Sequence, residues 1–261
     1  WLLKRKDLIK NGVIVFIGPG HNGGDGAVVA RELFLKGYSV TVWCPLPIRK
    51  KLTLQQLNYI TSIGVKKLDN FPDPIKNNLW IDAILGNNQK KGIDNQIIKL
   101  FNEKFDNGLG KIVSIDIPTG LCPDSGKVFS KSAIKCNFTL SIGLKKIGIL
   151  QDEAIPYVGK IININIGLGT NQFSKEIKNI FSVSGRDIKK ISLFLPPKYS
   201  SKYSRGRTLL ITGSNKYLGA ASLVIKGAMA SGVGFIKAIV PEIIAKSIWQ
   251  VAPEVVLEGY L

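Results

Sequence analysis

Short apolar runs alternate with longer segments of mixed polarity through the first two thirds of the chain. The runs are rich in Val and Ile, as in buried strands, and the segments between them space their apolar residues as amphipathic helices do. The predicted strands cover 13–17, 39–43, 80–85, 112–117, 138–142 and 161–165, and the predicted helices cover 27–36, 53–63 and 96–105. This alternation is typical of an α/β domain with a mainly parallel sheet.

A second domain is predicted after a polar, irregular stretch. A Pro-Pro pair at Pro196 and a Ser, Lys, Tyr and Gly cluster after it indicate a connection between domains. A new strand begins with "RTLLITGS" at Arg207, a helix is expected over 220–231, and a further strand starts at Phe235. The sequence therefore predicts a first domain over 1–169, a linker over 170–200 and the opening of a second domain over 201–261.

Composition excludes several classes of protein. The 36 Lys and Arg exceed the 18 Asp and Glu to give a formal charge of +18, but the basic residues form short scattered clusters such as "KRK" at Lys4 and "RKK" at Arg49. We therefore expect no nucleic-acid partner, although the positive charge favours an anionic substrate. No apolar run reaches the roughly 18 residues of a membrane span, so no membrane partner is expected. Three separated cysteines suggest neither disulfides nor zinc, and a cytoplasmic location is expected.

The stretch "GPGHNGGDG" contains G-x-G-x-x-G at Gly18, Gly20 and Gly23, directly after a predicted strand. This spacing is typical of a dinucleotide-binding turn, and it also occurs where a tight turn only needs close packing. A nicotinamide dehydrogenase needs an acidic residue after the second strand, yet no Asp or Glu lies between Glu32 and Asp69. A P-loop is excluded because no Gly-Lys-Ser/Thr follows the glycines. Asp25 instead places a carboxylate where a phosphate-binding turn prefers N–H groups.

Two further aspartates end predicted strands. Asp82 in "WIDAILG" and Asp116 in "VSIDIPTG" each run into a turn that contains glycine. Either could simply form a turn, but the carboxyl ends of parallel strands face the ligand crevice, and the joint occurrence with Asp25 favours a site. Several carboxylates beside an anionic ligand require a cation, a raised pKa or hydrogen bonds to substrate hydroxyls.

The segments "GPGHNGGDG", "IDAILG" and "DIPTG" resemble the signatures of the NAD(P)H-hydrate epimerase family, the YjeF N-terminal domain. The resemblance implies a Rossmann-like αβα sandwich, usually a homodimer with a potassium ion, that interconverts the R and S forms of NADHX and NADPHX. The segment from Lys202 resembles the start of the ADP-dependent NAD(P)H-hydrate dehydratase, a ribokinase-like α/β domain. That domain implies dehydration of the S form with ADP or ATP as cofactor.

Site residues follow from this resemblance only. Asp116 matches the substrate-contacting aspartate and is the candidate catalytic acid or base. The implied potassium ligands are Asn22, Asp82 and Thr119. The implied substrate contacts are His21, Asn22, Gly23, Gly24, Asp25, Gly86, Asn87, Asn88, Gln89, Lys90, Lys91, Gly92, Asp116 and Ala220. Two residues depart from the family pattern: His21 stands where Asn is frequent, and Thr119 where Ser is frequent.

Alternatives stay open at this point. The chain starts at Trp1 without a methionine and stops at "PEVVLEGYL", so we expect a fragment that lacks the ADP-binding segments and dehydratase activity. Epimerisation could proceed by loss and return of water or by opening of the ring at its C–N bond. The rival functions are a noncatalytic nucleotide- or partner-binding module and a nicotinamide-dependent oxidoreductase.

Overall fold

The structure is a computed structural model that describes residues 1–74, 76–168, 183, 185–190 and 199–259. The chain divides into two compact units, Trp1–Glu176 and Ile177–Leu261. The predicted linker over 170–200 lies largely outside the described residues. Within the described residues, no helix has the combination of length and apolar character that a membrane crossing demands.

The first unit is built on a seven-stranded sheet in which every neighbouring pair is parallel. The strands are β1 (Val13–Ile17), β2 (Val40–Trp43), β3 (Lys66–Lys67), β4 (Leu79–Ala83), β5 (Ile112–Ile115), β6 (Phe138–Ile142) and β7 (Lys160–Ile164). Their order is β3-β2-β1-β4-β5-β6-β7, so the chain changes direction across the sheet between β1 and β4. Such a switch point opens a crevice at the carboxyl ends of the strands. The predicted Rossmann-like α/β fold is confirmed, with the short β3 as an additional strand.

Helices and short turns connect these strands. The helices of this unit are α1 (Lys6–Ile9), α2 (His21–Leu35), α3 (Lys51–Ser62), α4 (Asn95–Asp106) and α5 (Ile155–Val158). Three 3-10 turns cover Leu2–Lys4, Gly148–Leu150 and Asp152–Ala154.

Helix α2 starts six residues earlier than predicted. The "HNGGD" segment over 21–25, expected to be a loop, is the first turn of α2, and the expectation of a loop is wrong. Gly20 is extended at the N-cap, and its carbonyl accepts a hydrogen bond from the Thr53 hydroxyl at 2.8 Å. The glycines have a packing purpose that outweighs their low helix propensity. A Cβ on Gly26 would lie 2.5 Å from the Ala83 Cβ, so α2 can lie close to β4 only because this residue is glycine.

Apolar side chains cover both faces of the sheet. Along β1, Val13, Val15 and Ile17 pack into one core, while Ile14 and Phe16 pack into the other. The second core contains an aromatic cluster of Phe16, Trp43, Phe71, Trp80 and Phe101, with ring centroids 4.4 to 5.9 Å apart. Burial on both faces explains why the sequences of the central strands are nearly uninterrupted apolar runs.

The second unit contains a three-stranded parallel sheet in the order β10-β9-β8. Its elements are α6 (Gly185–Lys190), β8 (Arg207–Ile211), α7 (Leu218–Ala230), β9 (Phe235–Val240), α8 (Glu242–Val251) and β10 (Val256–Gly259). The predicted strands at Arg207 and Phe235 and the helix between them are confirmed, whereas α8 and β10 are additional. Ile225, Ile236 and Ile244 are among the buried core residues.

Candidate functional site

A cleft of about 330 Å³ opens at the switch point of the seven-stranded sheet. The turn before α2, the first residues of α2, the turn after β4 and Asp116 after β5 form its walls. Its lining residues are Pro19, Gly20, His21, Asn22, Asp25, Lys50, Ile84, Leu85, Gly86, Asn87, Asn88, Gln89 and Asp116. The structure therefore brings together eight of the predicted site residues: His21, Asn22, Asp25, Gly86, Asn87, Asn88, Gln89 and Asp116.

One side of this cleft is suited to an anion. Helix α2 begins there, and the N-terminal end of a helix carries partial positive charge and free N–H donors. Lys50, at the N-cap of α3, adds a side-chain charge, and its backbone N–H donates to the Pro19 carbonyl at 3.2 Å. The sequence interpretation missed Lys50, because "RKK" at Arg49 resembles other scattered basic clusters. Only the packing of α3 against the Gly20 turn distinguishes this lysine.

Asp116 is held firmly at the opposite side. Its φ of 73° makes it the one non-glycine residue with a positive φ in the described part of the chain. For a residue with a side chain this backbone conformation costs about 1–3 kcal/mol and is commonest at functional sites. The Asp116 N–H donates to the Leu140 carbonyl at 2.8 Å, and its Oδ2 accepts from the Asn87 N–H at 3.2 Å. The conformation is thus fixed by strands and turns on either side.

Lys146 completes the surroundings of Asp116 and was not predicted. Its ammonium forms an ion pair with Asp116 Oδ1, which also accepts from the Ile142 N–H at 3.3 Å. The Lys146 Nζ donates in addition to the Ile142 carbonyl at 2.9 Å. The two paired side chains are only 14% and 13% exposed. Nothing in the sequence separates Lys146 from the neighbouring Lys145, since the pair arises from the turn that follows β6.

Asp25 has quite different surroundings. It projects from the first turns of α2, and in the described part of the chain its carboxylate has no hydrogen bond or ion pair. It lines both the polar cleft and an adjoining apolar cavity of about 260 Å³, whose walls include Val29 and Leu140. Partial burial, followed by the nearby charge of Asp116, raises the pKa of Asp25, while His21 acts in the opposite direction.

Asp82, a predicted metal ligand, lies beneath the cleft and is fully buried. Its Oδ1 accepts from the Thr119 hydroxyl at 2.7 Å and the Ile84 N–H at 3.2 Å. Its Oδ2 accepts from the Thr119 N–H at 2.8 Å and the Ser114 hydroxyl at 3.2 Å. Burial raises the pKa of Asp82 to about 6, because desolvation outweighs these hydrogen bonds.

The other two predicted metal ligands lie at the turn after β4, and of the two Thr119 is bonded to Asp82. The Thr119 hydroxyl accepts from the Leu85 N–H at 3.0 Å, and the Asn22 side chain lies against Gly86. Asn22 is buried, and its Nδ2 has no hydrogen-bond partner among the described residues. In the same part of the chain, no group of three His, Cys, Asp or Glu could hold a metal ion. Any cation here would therefore depend on amide and hydroxyl oxygens besides Asp82.

Several predicted substrate contacts do not line the cleft. Gly23 and Gly24 pack against Gly18 and Thr53, and the Gln89 side chain, although at the cleft, bonds inward to Pro118 and Gly120. The residues outside the cleft lining are Gly23, Gly24, Lys90, Lys91, Gly92 and Ala220. Lys90 lines a neighbouring pocket with Cys122, and Ala220 lies in the first turn of α7 in the second unit.

Comparison with known proteins finds several that are similar to this chain. The chain is 36% identical to the Bifunctional NAD(P)H-hydrate repair enzyme Nnr of Synechocystis, over 95% of this chain and 47% of the relative. It is 35% identical to the NAD(P)H-hydrate epimerase of Lentilactobacillus buchneri, over 64% of this chain and 78% of the relative. The crystal structure of yeast ynu0 is 29% identical, covers 52% of this chain and 59% of its own, and has a TM-score of 0.45.

The chain spans about half the length of the bifunctional relatives that it matches. The sequence model of one family, described as "YjeF-related protein N-terminus", matches residues 2–148, which include the whole cleft and both of its carboxylates. With this match and these relatives, the chain belongs to the YjeF-related N-terminal domain family.

Proposed function

We propose that this protein is an NAD(P)H-hydrate epimerase that interconverts the R and S forms of NADHX and NADPHX. The observation that carries the proposal is the cleft itself, which the start of α2, Lys50 and the carboxylates of Asp25 and Asp116 line together. A relative with this activity in its name matches 64% of the chain at 35% identity. The site combines an anion-binding end with carboxylates that can exchange protons, as a hydrated dinucleotide requires.

The substrate binds with its phosphates towards the N-terminal end of α2 and the Lys50 ammonium. The turn over Gly86, Asn87 and Asn88 closes one side of the cleft, with the Asn87 N–H fixing Asp116. The hydrated ring then lies near the carboxylates, where a proton must move to and from its oxygen or nitrogen. Both Asp116 and Asp25 are candidates for that proton transfer.

The residues present also suit a potassium ion. Asn22, Asp82 and Thr119 would hold it, because they offer hard oxygen donors around one turn and a buried carboxylate with no cationic side-chain partner among the described residues. Asn22 would contribute its amide oxygen to the ion, whereas its buried Nδ2, which has no partner among the described residues, is free to donate to a substrate oxygen. A bound cation supplies positive charge that lets carboxylates and phosphates share one crevice.

The full-length protein would act at two steps. Relatives named as bifunctional repair enzymes are about twice as long as the part that this chain matches, so we propose that its full-length form also dehydrates the S form with ADP, with Ala220 as one substrate contact. A homodimer and a cytoplasmic location belong to the same proposal.

The decisive experiment couples this chain to an excess of an S-specific, ADP-dependent dehydratase acting on a mixture of both NADHX epimers. Recovery of NADH absorbance should become rapid and complete, and faster in potassium than in choline chloride at equal ionic strength. A reaction without the chain measures spontaneous epimerisation. If a folded chain leaves recovery at that spontaneous rate but still binds NADHX, the protein is the noncatalytic binding module instead.

A further inference from the structure

The two carboxylates of the cleft differ in how fully the protein itself engages their oxygens. Asp116 is surrounded by donors: Oδ1 accepts from the Lys146 ammonium and the Ile142 N–H, and Oδ2 accepts from the Asn87 N–H. Both oxygens of Asp116 are therefore already engaged as acceptors by donors of the protein.

Asp25 has the opposite arrangement. None of the hydrogen bonds or ion pairs in the described part of the chain involves its carboxylate, so both oxygens are open to a ligand in the cleft. One side of Asp25 faces the polar cleft and the other the apolar cavity lined by Val29, Leu140 and Ile142. Because this apolar side favours the neutral carboxylic acid, Asp25 accepts a proton at a higher pH than a fully solvated aspartate does.

We infer that Asp25 carries the proton in the epimerisation, while Asp116, fixed by Lys146, positions the substrate. This inference rests on the proposed function and assigns its two carboxylates separate roles. Sites with two carboxyl groups commonly divide the work in this way, with a different environment and a different role for each group.

When epimerisation proceeds by ring opening, the single carboxyl group of Asp25 is sufficient for both proton transfers. The hydroxyl proton of the hydrated carbon passes to the Asp25 carboxylate, and the O–H electron pair forms the carbonyl. The ring C–N bond breaks, its electron pair moves to nitrogen, and nitrogen takes the proton from Asp25. Rotation of the freed aldehyde and reversal of these transfers give the other epimer and regenerate the Asp25 carboxylate. No further reactant is needed.

Other charged groups lie near Asp25 and must be taken into account in any test of its role. His21 lies one turn earlier on α2, Asp116 faces it across the cleft, and Lys50 lines the cleft from the loop before α3. Glu32 lines the adjoining apolar cavity and is engaged by Arg31 at 2.9 Å. Glu32 is therefore a suitable control carboxylate on the same helix.

The test measures kcat and KM in the coupled assay for the wild-type chain and the Asp25→Asn, Asp116→Asn and Glu32→Gln variants. We expect Asp25→Asn to lower kcat by about 10²–10⁴ with KM changed by less than about threefold. We expect Asp116→Asn to change KM more than kcat, and Glu32→Gln to change neither. An Asp25→Asn variant with near wild-type kcat would overturn the inference while leaving the epimerase intact. An inactive wild-type chain would overturn the proposed function itself.

A second variant separates proton transfer from a structural effect. Asp25→Ala removes the carboxyl group, and added formate should restore part of its kcat because it can exchange protons from the vacated space. Formamide has a similar size but cannot do so, and it serves as the matched control. Equal effects of formate and formamide would contradict the proton-carrying role, because they would show that the added molecule acts only by filling the vacated space.

Discussion

Lys104 allows a quantitative test of how the burial of a charged side chain affects the stability of the first unit. It is a fully buried lysine on α4 whose Nζ lies 4.8 Å from the centre of the Trp80 ring. The Nζ donates to the Lys76 carbonyl at 2.5 Å, the Asn78 side chain at 3.2 Å and the Pro74 carbonyl at 3.4 Å. Despite these acceptors, burial lowers the pKa of Lys104 from 10.5 to about 8.

This pKa difference has a defined effect on stability. At 1.36 kcal/mol for each pH unit between the folded and unfolded pKa values, the penalty is about 3 kcal/mol. Below about pH 8 both states are protonated and the penalty is present in full. As pH rises from about 8 to 10.5, the folded state loses the proton first, so the free energy of unfolding increases relative to a chain without this group.

The perturbation is Lys104→Met, with Lys99→Met, an exposed lysine on the same helix, as the control. Urea unfolding between pH 7 and 10.5 can be followed by tryptophan fluorescence, because Trp1, Trp43 and Trp80 all belong to the first unit. The stability of wild type relative to Lys104→Met should increase by about 3 kcal/mol across this range. A difference that stays constant with pH would refute the reasoning.

Two further predictions concern the cleft. The added Cβ of Gly26→Ala should push α2 away from Ala83 and destabilise the protein by about 1–3 kcal/mol. Because Asn22 and Asp25 move with α2, the rate of epimerisation should fall more than tenfold. Thermal unfolding and the coupled assay measure both effects, and Gly227→Ala, at an open helical position, should not destabilise the chain. Lys50→Met should raise KM for NADPHX at least about fivefold with kcat nearly unchanged, whereas the exposed Lys51→Met should not. Equal kinetics for the two lysine variants would exclude Lys50 from phosphate binding.

The sequence alone was sufficient for the fold class and for most of the cleft. Apolar runs at β1, β4 and β5 are long enough and sufficiently β-branched to predict buried parallel strands, and residues that end such strands converge at one edge. This is why Asp82 and Asp116 could be predicted from the sequence to lie near the glycine motif, whereas the turn over 86–92 was assigned to the site by the family resemblance. The start of α2 could not be predicted, because the three glycines over 23–26 oppose a helix by propensity, and only the tertiary structure shows their close packing against Gly18, Thr53 and Ala83.

The tertiary structure determined which lysines lie at the cleft and which one pairs with Asp116. Lys146 and Lys145 are adjacent and chemically equivalent in the sequence, yet only Lys146 pairs with Asp116, which lies 30 residues earlier. Lys90 and Lys91, favoured by the resemblance, do not line the cleft, while Lys50 does. Local patterns report burial and periodicity, but the direction of a loop side chain depends on contacts between distant segments. The sequence by itself therefore determined the sheet and its ligand-facing edge, and only the packing of loops around that edge assigned a lysine to Asp116 and left Asp25 open to the cleft.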